Sequence, residues 1–268
     1  MIDLQITQEQ FERALPVGTC GQSELFDFIK PSIEEALEDM ERDILGEKGV
    51  EWANTDEKHG NRVMKLAVLQ GFLAIFRQLD LVLTPTGFGV VSNDSTVPAS
   101  KMRVDELYEQ LQKSMLIEKG KLIYRLSFVN GWGKQDAARR AMPYFFHEGL
   151  FFNFFPNAKA TEWYDALPII RNVEILLQQL ISPQQMEEFR MKRRCGETIS
   201  VNLTLCMAYC NAIEKNDIGY KNVLRDLLNE IENGGEEFKT YLESKAYECN
   251  HHKGYENKKQ DPSFFFLG

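Results

Sequence analysis

This chain lacks several sequence features that would indicate a particular activity or type of binding. Each absence excludes a class of function. No run of about 18 apolar residues occurs, so we expect no membrane-spanning helix. The cysteines number 5, are scattered and contain no Cys-x-x-Cys pair, which favours a reducing compartment over a disulfide framework. Basic residues are in deficit, with 31 Lys and Arg against 40 Asp and Glu and a net charge of −9. A general nucleic-acid binder would need a basic face, so this class is not expected.

Motifs for cofactors and phosphates are also missing. The pair Gly87 and Gly89 follows a strand-like run, but a dinucleotide fingerprint requires a further glycine where Ser92 stands. No Gly-Lys-Ser/Thr sequence occurs. The glycines therefore favour a hairpin, and no cofactor is predicted.

Metal-binding and nucleophile patterns are incomplete as well. His147-Glu148 begins like a zinc-protease helix, but Phe151 stands where a second histidine is required. Cys249 lies close to His251 and His252, yet a closed zinc site needs four ligands, usually in two spaced pairs. No serine or cysteine lies in a nucleophile elbow. We therefore predict no catalytic or metal-ligating residue and expect that the protein is not an enzyme, although catalytic residues often converge only in three dimensions.

A cluster of large apolar residues stands out in the last part of the sequence. Phe264, Phe265, Phe266 and Leu267 follow the polar run 251–260. Such residues invite association if they stay in water, and burying each is worth roughly 1.5–3 kcal/mol. We therefore expect residues 251–268 to form a docking tail, either on its own domain or on another subunit. The start Met1–Gln5 has no basic region followed by an apolar stretch, so no signal peptide is expected.

The periodicity of apolar residues predicts a mainly α-helical protein. Hydrophobic residues make up 43% of the chain, enough for a sizeable core. Residues 31–45 are predicted to form a helix with Pro31 in its first turn and Gly46 just past its end. Residues 62–79 carry apolar residues nearly all round and are predicted to form a central helix. Further helices are predicted at about 99–116, 134–150, 168–181, 184–194, 197–215, 218–233 and 235–248.

Two segments depart from the helical pattern. Residues 81–97 combine apolar runs with Thr84-Pro85-Thr86-Gly87 and predict a β-hairpin that presents Phe88. The run Leu122–Val129 is consistent with a strand. A small β element after each central region is therefore predicted.

The chain matches itself when shifted by about 137 residues. The aligned pairs are Phe26 with Trp163, Pro31 with Pro168, Ile33 with Ile170, Ala36 with Val173, Met40 with Leu177, Ile44 with Ile181, Leu66 with Leu203, Val68 with Leu205 and Phe72 with Tyr209. Duplication and coincidence both remain open, because two amphipathic helices match in part by chance. The predicted fold is mainly α, with two similar helical-bundle units, small β-hairpin elements and an extended C-terminal tail. Its divisions are 1–117, 118–250 and 251–268.

Charged stretches admit two interpretations. The acidic face of residues 34–43 is either solvated or contacts a basic partner. Basic residues concentrate in the middle of the chain and again near residues 190–194: Lys119, Lys121, Arg125, Lys134, Arg139, Arg140, Arg190, Lys192, Arg193 and Arg194. These are either a solvated surface or contacts for the acidic faces of neighbouring subunits or for nucleic acid.

One block resembles a known family. Leu81–Asn93, followed by Val97–Leu107, is similar to an uncharacterised, repeat-containing helical family of Bacteroides phages and prophages. The helix at Pro31 and the Phe-rich run before Pro156 resemble its other recurring features. The resemblance covers most of the chain, but only residues 81–107 are a specific block.

This resemblance implies a virion structural protein, similar to the head–tail connector or adaptor proteins of the phage neck. Such proteins form a homo-oligomeric ring under the portal and contact other neck and tail proteins, and the virion is assembled in the host cytoplasm. It implies no cofactor, no membrane and no sequence-specific nucleic acid, while a passing contact with packaged DNA is left open. Under this hypothesis Phe264, Phe265, Phe266, Leu267 and Phe88 are interface residues. Another tail-completion component such as a tail terminator, a small soluble enzyme, and a helical binding module are the alternatives.

Overall fold

The computed structural model describes residues 6–15, 23–79, 81–84, 87–90, 100–197, 199–200, 203–204, 217–233 and 236–251. These residues are mainly helical, so the prediction of a mainly α protein is confirmed. The helices are α1 (Gln8–Ala14), α2 (Ser23–Met40), α3 (Gly46–Thr55), α4 (Glu57–Ile75), α5 (Lys101–Leu126), α6 (Asp136–Ala141), α7 (Glu148–Phe154), α8 (Ala160–Ile181), α9 (Pro183–Arg194), α10 (Asp217–Glu232), α11 (Lys239–Leu242) and α12 (Lys245–Asn250). Within the described ranges, no helix is both long and apolar enough to cross a bilayer.

Two short strands, β1 (Leu81–Thr84) and β2 (Gly87–Val90), lie between α4 and α5. They pair antiparallel, with Leu81 opposite Val90 and Leu83 opposite Phe88. For these strands the backbone alone is described.

The first core forms around α4. This helix begins at a side-chain cap, where Asp56 accepts a hydrogen bond from the Lys58 backbone N–H. Its run from Val63 to Leu69 is buried on almost every face, which confirms the prediction of a central helix. Helices α2 and α5 pack against it.

A glycine permits the close contact between α2 and α4. A side chain at Gly71 would place its Cβ 2.6 Å from the Cα of Ile33, so only glycine fits there.

The second core is built by α7, α8, α9 and the segments after residue 199, with aromatic residues such as Phe146, Phe151 and Phe189 fully buried. Helix α5 serves both cores, because Leu111 and Leu122 lie in the first and Leu116 in the second. The predicted boundary at residues 117–118 falls inside this continuous helix.

Several local predictions are wrong. The single helix predicted at 134–150 is divided into α6 and α7, and the one predicted at 235–248 is divided into α11 and α12 after a 3₁₀ turn. Helix α2 begins at Ser23 rather than at residue 31, so Pro31 lies inside the helix. The proline removes one backbone hydrogen bond, but Ile29 and Ile33 on either side are buried, and this packing offsets the loss. The run Leu122–Val129 is not a strand. Its first part completes α5, because Leu122, Ile123 and Leu126 continue the helical stripe on the first core.

Candidate functional site

The predicted interface residues fall largely beyond the described part of the chain. Phe264, Phe265, Phe266 and Leu267 lie outside the described residues. Phe88 lies in β2, opposite Leu83, and its backbone alone is described.

Three large apolar side chains are exposed along α8. Ile169 is 47% exposed, Ile175 43% and Leu176 63%. Most large apolar side chains of a folded domain are buried, and several exposed ones on a single helix typify an interaction surface. We call these three residues the α8 apolar face.

A hollow of about 510 Å³ lies beside this face. Its walls are Leu176, Gln179, Leu228, Ile231, Tyr241, Asn250 and His251. The Asn250 side-chain amide donates a hydrogen bond to the Tyr241 hydroxyl over 3.2 Å, which joins α12 to the floor. His251 is the last described residue of the chain. We call this depression the α8–α10 hollow.

A buried ion pair fixes α8 against α9. Glu174 is 1% exposed and accepts two hydrogen bonds from Arg190, from Nε over 3.0 Å and from Nη2 over 2.8 Å. Its other oxygen accepts from the backbone N–H groups of Phe145 and Phe146. Burial raises the pKa of the Glu174 carboxyl above its ordinary value, against the opposing effect of Arg190. The pair therefore fixes the orientation of α8 and so the direction of its apolar face.

A second cavity, of about 570 Å³, lies between α5, α7 and the end of α9. The two helices approach closely beside it, because a Cβ at Gly120 would lie 2.7 Å from the Cα of Gly149. The walls include Ile123, Phe128 and Phe152. We call it the α5–α7 cavity.

His147 lines this cavity and caps α7. Its Nδ1 accepts a hydrogen bond from the Gly149 backbone N–H over 3.1 Å. Burial lowers the pKa of His147 to about 4, so the ring is neutral at physiological pH. Because Nδ1 accepts, Nε2 carries the ring proton and is a donor.

Most of the predicted basic stretches are paired within the chain. Lys119 pairs with Glu148, Lys121 with Glu118, Arg140 with Asp43, Arg190 with Glu174, Lys192 with Glu188 and Arg194 with Glu187. Arg193 and Arg125, which both line the α5–α7 cavity, differ, because no carboxylate of the described residues forms an ion pair with either. Burial lowers the pKa of Arg193 to about 10.

The predicted acidic face on α2 is partly engaged by the chain itself. Arg42 binds Asp39 and Asp43, and Arg140 of α6 lies 2.9 Å from Asp43. The hydrogen bond from Arg42 is the largest factor that lowers the pKa of Asp43. Glu34, Glu35 and Glu38 remain exposed.

No cluster of metal-ligating side chains occurs within the described ranges. His252 lies outside them, and Cys249 is an exposed free thiol.

Sequence reasoning missed both the α8–α10 hollow and the isolation of Arg193. The exposed Ile169, Ile175 and Leu176 left a signal, since they add apolar residues to α8 beyond those of its buried stripe. Arg193 left none, because it stands among four cations and their spacing does not show which one lacks a carboxylate. Lys192 and Arg194 pair with glutamates of α9 itself, whereas the buried partner of Arg190, Glu174, comes from α8.

Residues 29–130 match the model of a family of unknown function, DUF6712. The matched range begins within α2 and ends after α5, and it contains the block 81–107. It covers less than half of the 268 residues and excludes the α8–α10 hollow and Arg193. No curated protein and no solved structure matches this chain.

Proposed function

We propose that this protein is a virion structural subunit of the head–tail connector or adaptor class, which forms a ring with copies of itself. In this role it contacts the portal and other neck and tail proteins and acts within the virion after assembly in the host cytoplasm. It performs no catalysis and needs no cofactor. The resemblance of residues 81–107 to a Bacteroides phage and prophage family supplies the class.

The observation that carries the proposal is the apolar α8 face beside the α8–α10 hollow. Leu176 is 63% exposed at the edge of the hollow, and Leu228, 36% exposed, lines it too. The chain continues from His251, at the same edge, toward the apolar segment Phe264–Leu267. We infer that this segment of one copy occupies the hollow of the next copy.

Such a contact joins two different surfaces of identical subunits. A head-to-tail contact of this kind closes into a ring when its rotation allows. Aromatic side chains that fill an apolar depression are typical anchors of protein interfaces. Phe88 in β2 is proposed as a second contact.

Two similar units within each subunit form part of the proposal. Helix α2 begins at Ser23 and α8 at Ala160, and each carries a proline, Pro31 or Pro168, at the same place in the helix. The offset of about 137 residues also relates the start of α3 at Gly46 to that of α9 at Pro183. These correspondences support a duplication.

The duplication is not uniform along the chain. Asp56 caps α4, whereas Arg193, its counterpart under the same offset, lies within α9. The Ser200 hydroxyl instead accepts a hydrogen bond from the backbone of Leu203, and so caps the following turn. The two units therefore differ after α3 and α9.

Light scattering of the purified full chain, combined with limited proteolysis of the same sample, tests the proposal. We expect a ring-sized mass with residues 264–267 protected, or a monomer in which this segment is cut quickly because its acceptor is on another copy. A monomer with a protected segment would contradict the proposal and favour the enzyme or binding-module alternatives.

Single and triple variants test the hollow, the apolar segment and Phe88 separately. Leu176→Asp and the triple change of Phe264, Phe265 and Phe266 to alanine are each expected to reduce the ring to monomers. Phe88→Ala is expected to weaken it. Met102→Asp is the matched control, because Met102 is 75% exposed on α5 and does not line the hollow. Intact rings in both Leu176→Asp and the triple variant would show that the hollow is not the acceptor.

A further inference from the structure

Arg193 is a half-buried cation without a counter-charge. Its neighbours on α9, Arg190 and Arg194, each reach a glutamate, but Arg193 forms no ion pair with any described residue. It donates from Nη2 to the Thr204 hydroxyl over 2.9 Å, and its guanidinium carbon lies 4.4 Å from the centre of the Phe145 ring. Its Nε is buried without a hydrogen bond to the described residues.

Such an arrangement is costly in the unliganded protein. A buried cation loses hydration, and one hydroxyl with one aromatic face recovers only part of that loss. The guanidinium remains charged at neutral pH, since burial lowers the pKa of Arg193 only to about 10. An anion placed in the cavity would supply the missing charge and accept hydrogen bonds from the guanidinium.

The residues around Arg193 indicate which chemical groups a ligand would carry besides the anion. The walls of the α5–α7 cavity are largely apolar and aromatic, and Phe128, which is 60% exposed, stands at its opening. Arg125 is exposed at the cavity and forms no ion pair with the described residues. The neutral His147 presents an Nε2 donor. Glu197 also lines the cavity, but it is exposed and pairs with neither arginine.

We infer that the α5–α7 cavity binds an anionic group, such as a carboxylate, sulfonate or phosphate, carried on a flat apolar body. Arg193 holds the anion, and the aromatic walls bury the body. This site is separate from the α8–α10 hollow and does not depend on ring formation. A cavity of about 570 Å³ is large enough for a ligand of two fused rings.

Two probes of nearly equal shape test the charge requirement. Isothermal titration calorimetry of the full chain would compare 1-naphthoate, which is anionic, with 1-naphthamide, which is neutral. We expect 1-naphthoate to bind at least about tenfold more tightly, because charge-assisted hydrogen bonds are the stronger ones. Equal affinities, or no measurable binding of 1-naphthoate at millimolar concentration, would overturn the inference.

Two variants test which residue binds the anionic group and which binds the apolar body of the ligand. Arg193→Gln is expected to lower 1-naphthoate affinity by about tenfold or more and to leave 1-naphthamide unchanged. Phe128→Ala is expected to weaken both probes by the same factor, about threefold to tenfold. Arg171→Gln is the control, because Arg171 is exposed on α8 and lines none of the cavities described above.

Thermal unfolding without probe checks that Arg193→Gln is folded. If that variant is unfolded, Arg125→Gln replaces it, since Arg125 is exposed and its loss does not threaten the core. A loss of about twofold to fivefold for 1-naphthoate alone is then expected. Wild-type affinity for 1-naphthoate in the folded arginine variant would overturn the assignment.

Discussion

Helices α2 and α8 bury equivalent positions but differ in the residues that they expose. Under the offset of about 137 residues, Ile33 corresponds to Ile170 and Met40 to Leu177, and all four are buried. The outer faces differ, since the positions of Glu38 and Asp39 on α2 are taken by Ile175 and Leu176 on α8. The buried positions maintain the fold, whereas the outer face is free to serve different contacts.

The cores differ in their buried charges as well. Among the described residues, every buried charged side chain lies in the second half of the chain: Glu148, Glu174 and Arg194. Leu37 of α2 corresponds to Glu174, and the buried Ala53 of α3 corresponds to Arg190. Under the same offset, two apolar positions in the first half of the chain thus correspond to an ion pair in the second half.

The largest effect is expected from changing Glu174 to the residue of its counterpart. Glu174→Leu leaves Arg190 with only the exposed Glu187 as a carboxylate partner and leaves two backbone N–H groups without an acceptor, so it should cost ~3–5 kcal/mol in unfolding free energy. Urea unfolding monitored by circular dichroism measures this. Adding Arg190→Ala, so that both positions carry the residues found at Leu37 and Ala53, should recover ~2 kcal/mol. A double variant no more stable than Glu174→Leu would indicate that the lost N–H acceptor dominates.

The stability of the protein should depend on pH through His147. Burial lowers the pKa of His147 to about 4 in the folded protein, below the ordinary value of 6.5 that applies to the unfolded chain. The unfolded chain therefore binds the extra proton between these values, so the contribution of His147 is present above pH 6.5 and is lost as pH falls toward 4. The loss should reach ~3 kcal/mol. Lys119, Glu148 and Arg193 are the charged groups that act on His147.

Asparagine at position 147 isolates this contribution. His147→Asn retains an acceptor for the Gly149 N–H, because asparagine is a favoured N-cap residue. The difference in unfolding free energy between wild type and this variant should change between pH 7 and 4. A constant difference for His147→Asn would mean that the histidine is protonated in the folded state.

An intermediate effect is expected at the crossing of α2 and α4. A methyl group at Gly71 would meet the backbone of Ile33 and Ser32 at 2.6–2.7 Å, and backbone yields less easily than a side-chain end. Gly71→Ala should therefore destabilise the protein by ~1–3 kcal/mol, as overpacking does. Gln70→Ala, the adjacent control, should change stability by less than about 0.5 kcal/mol. Equal stability of Gly71→Ala and wild type would show that the helices can separate without cost.

The smallest effect on stability is expected on the outer face of α8. Leu176→Asp gives α8 the residue that α2 has at the equivalent position, and Leu176 is 63% exposed. The unfolding free energy of the monomer should change by no more than about 0.5 kcal/mol. Chemical denaturation at a concentration where the protein is monomeric measures this. A large loss would mean that Leu176 packs within its own subunit, and the difference between the two outer faces would then be structural.

Most of the fold that could be predicted followed from the helical periodicity of the apolar residues. The apolar run from Val63 to Leu69 predicted a buried α4, because residues that are apolar on all faces need neighbours on all faces. The start of α2 was not predictable from Pro31, since proline favours the first turn in general and packing of Ile29 and Ile33 decided otherwise here. The sequence alone also left Leu122–Val129 ambiguous, because short apolar runs suit strands and buried helices equally.

The sequence by itself determined the helical class, the central position of α4 and the lack of recognisable catalytic motifs. These depend on residue type and on spacing within one turn or one strand. Only the tertiary structure decided that Glu174 meets Arg190, that Arg193 meets no described carboxylate, and that Leu176 borders a hollow. Such contacts join residues on separate elements, and local periodicity contains no information about which elements come together.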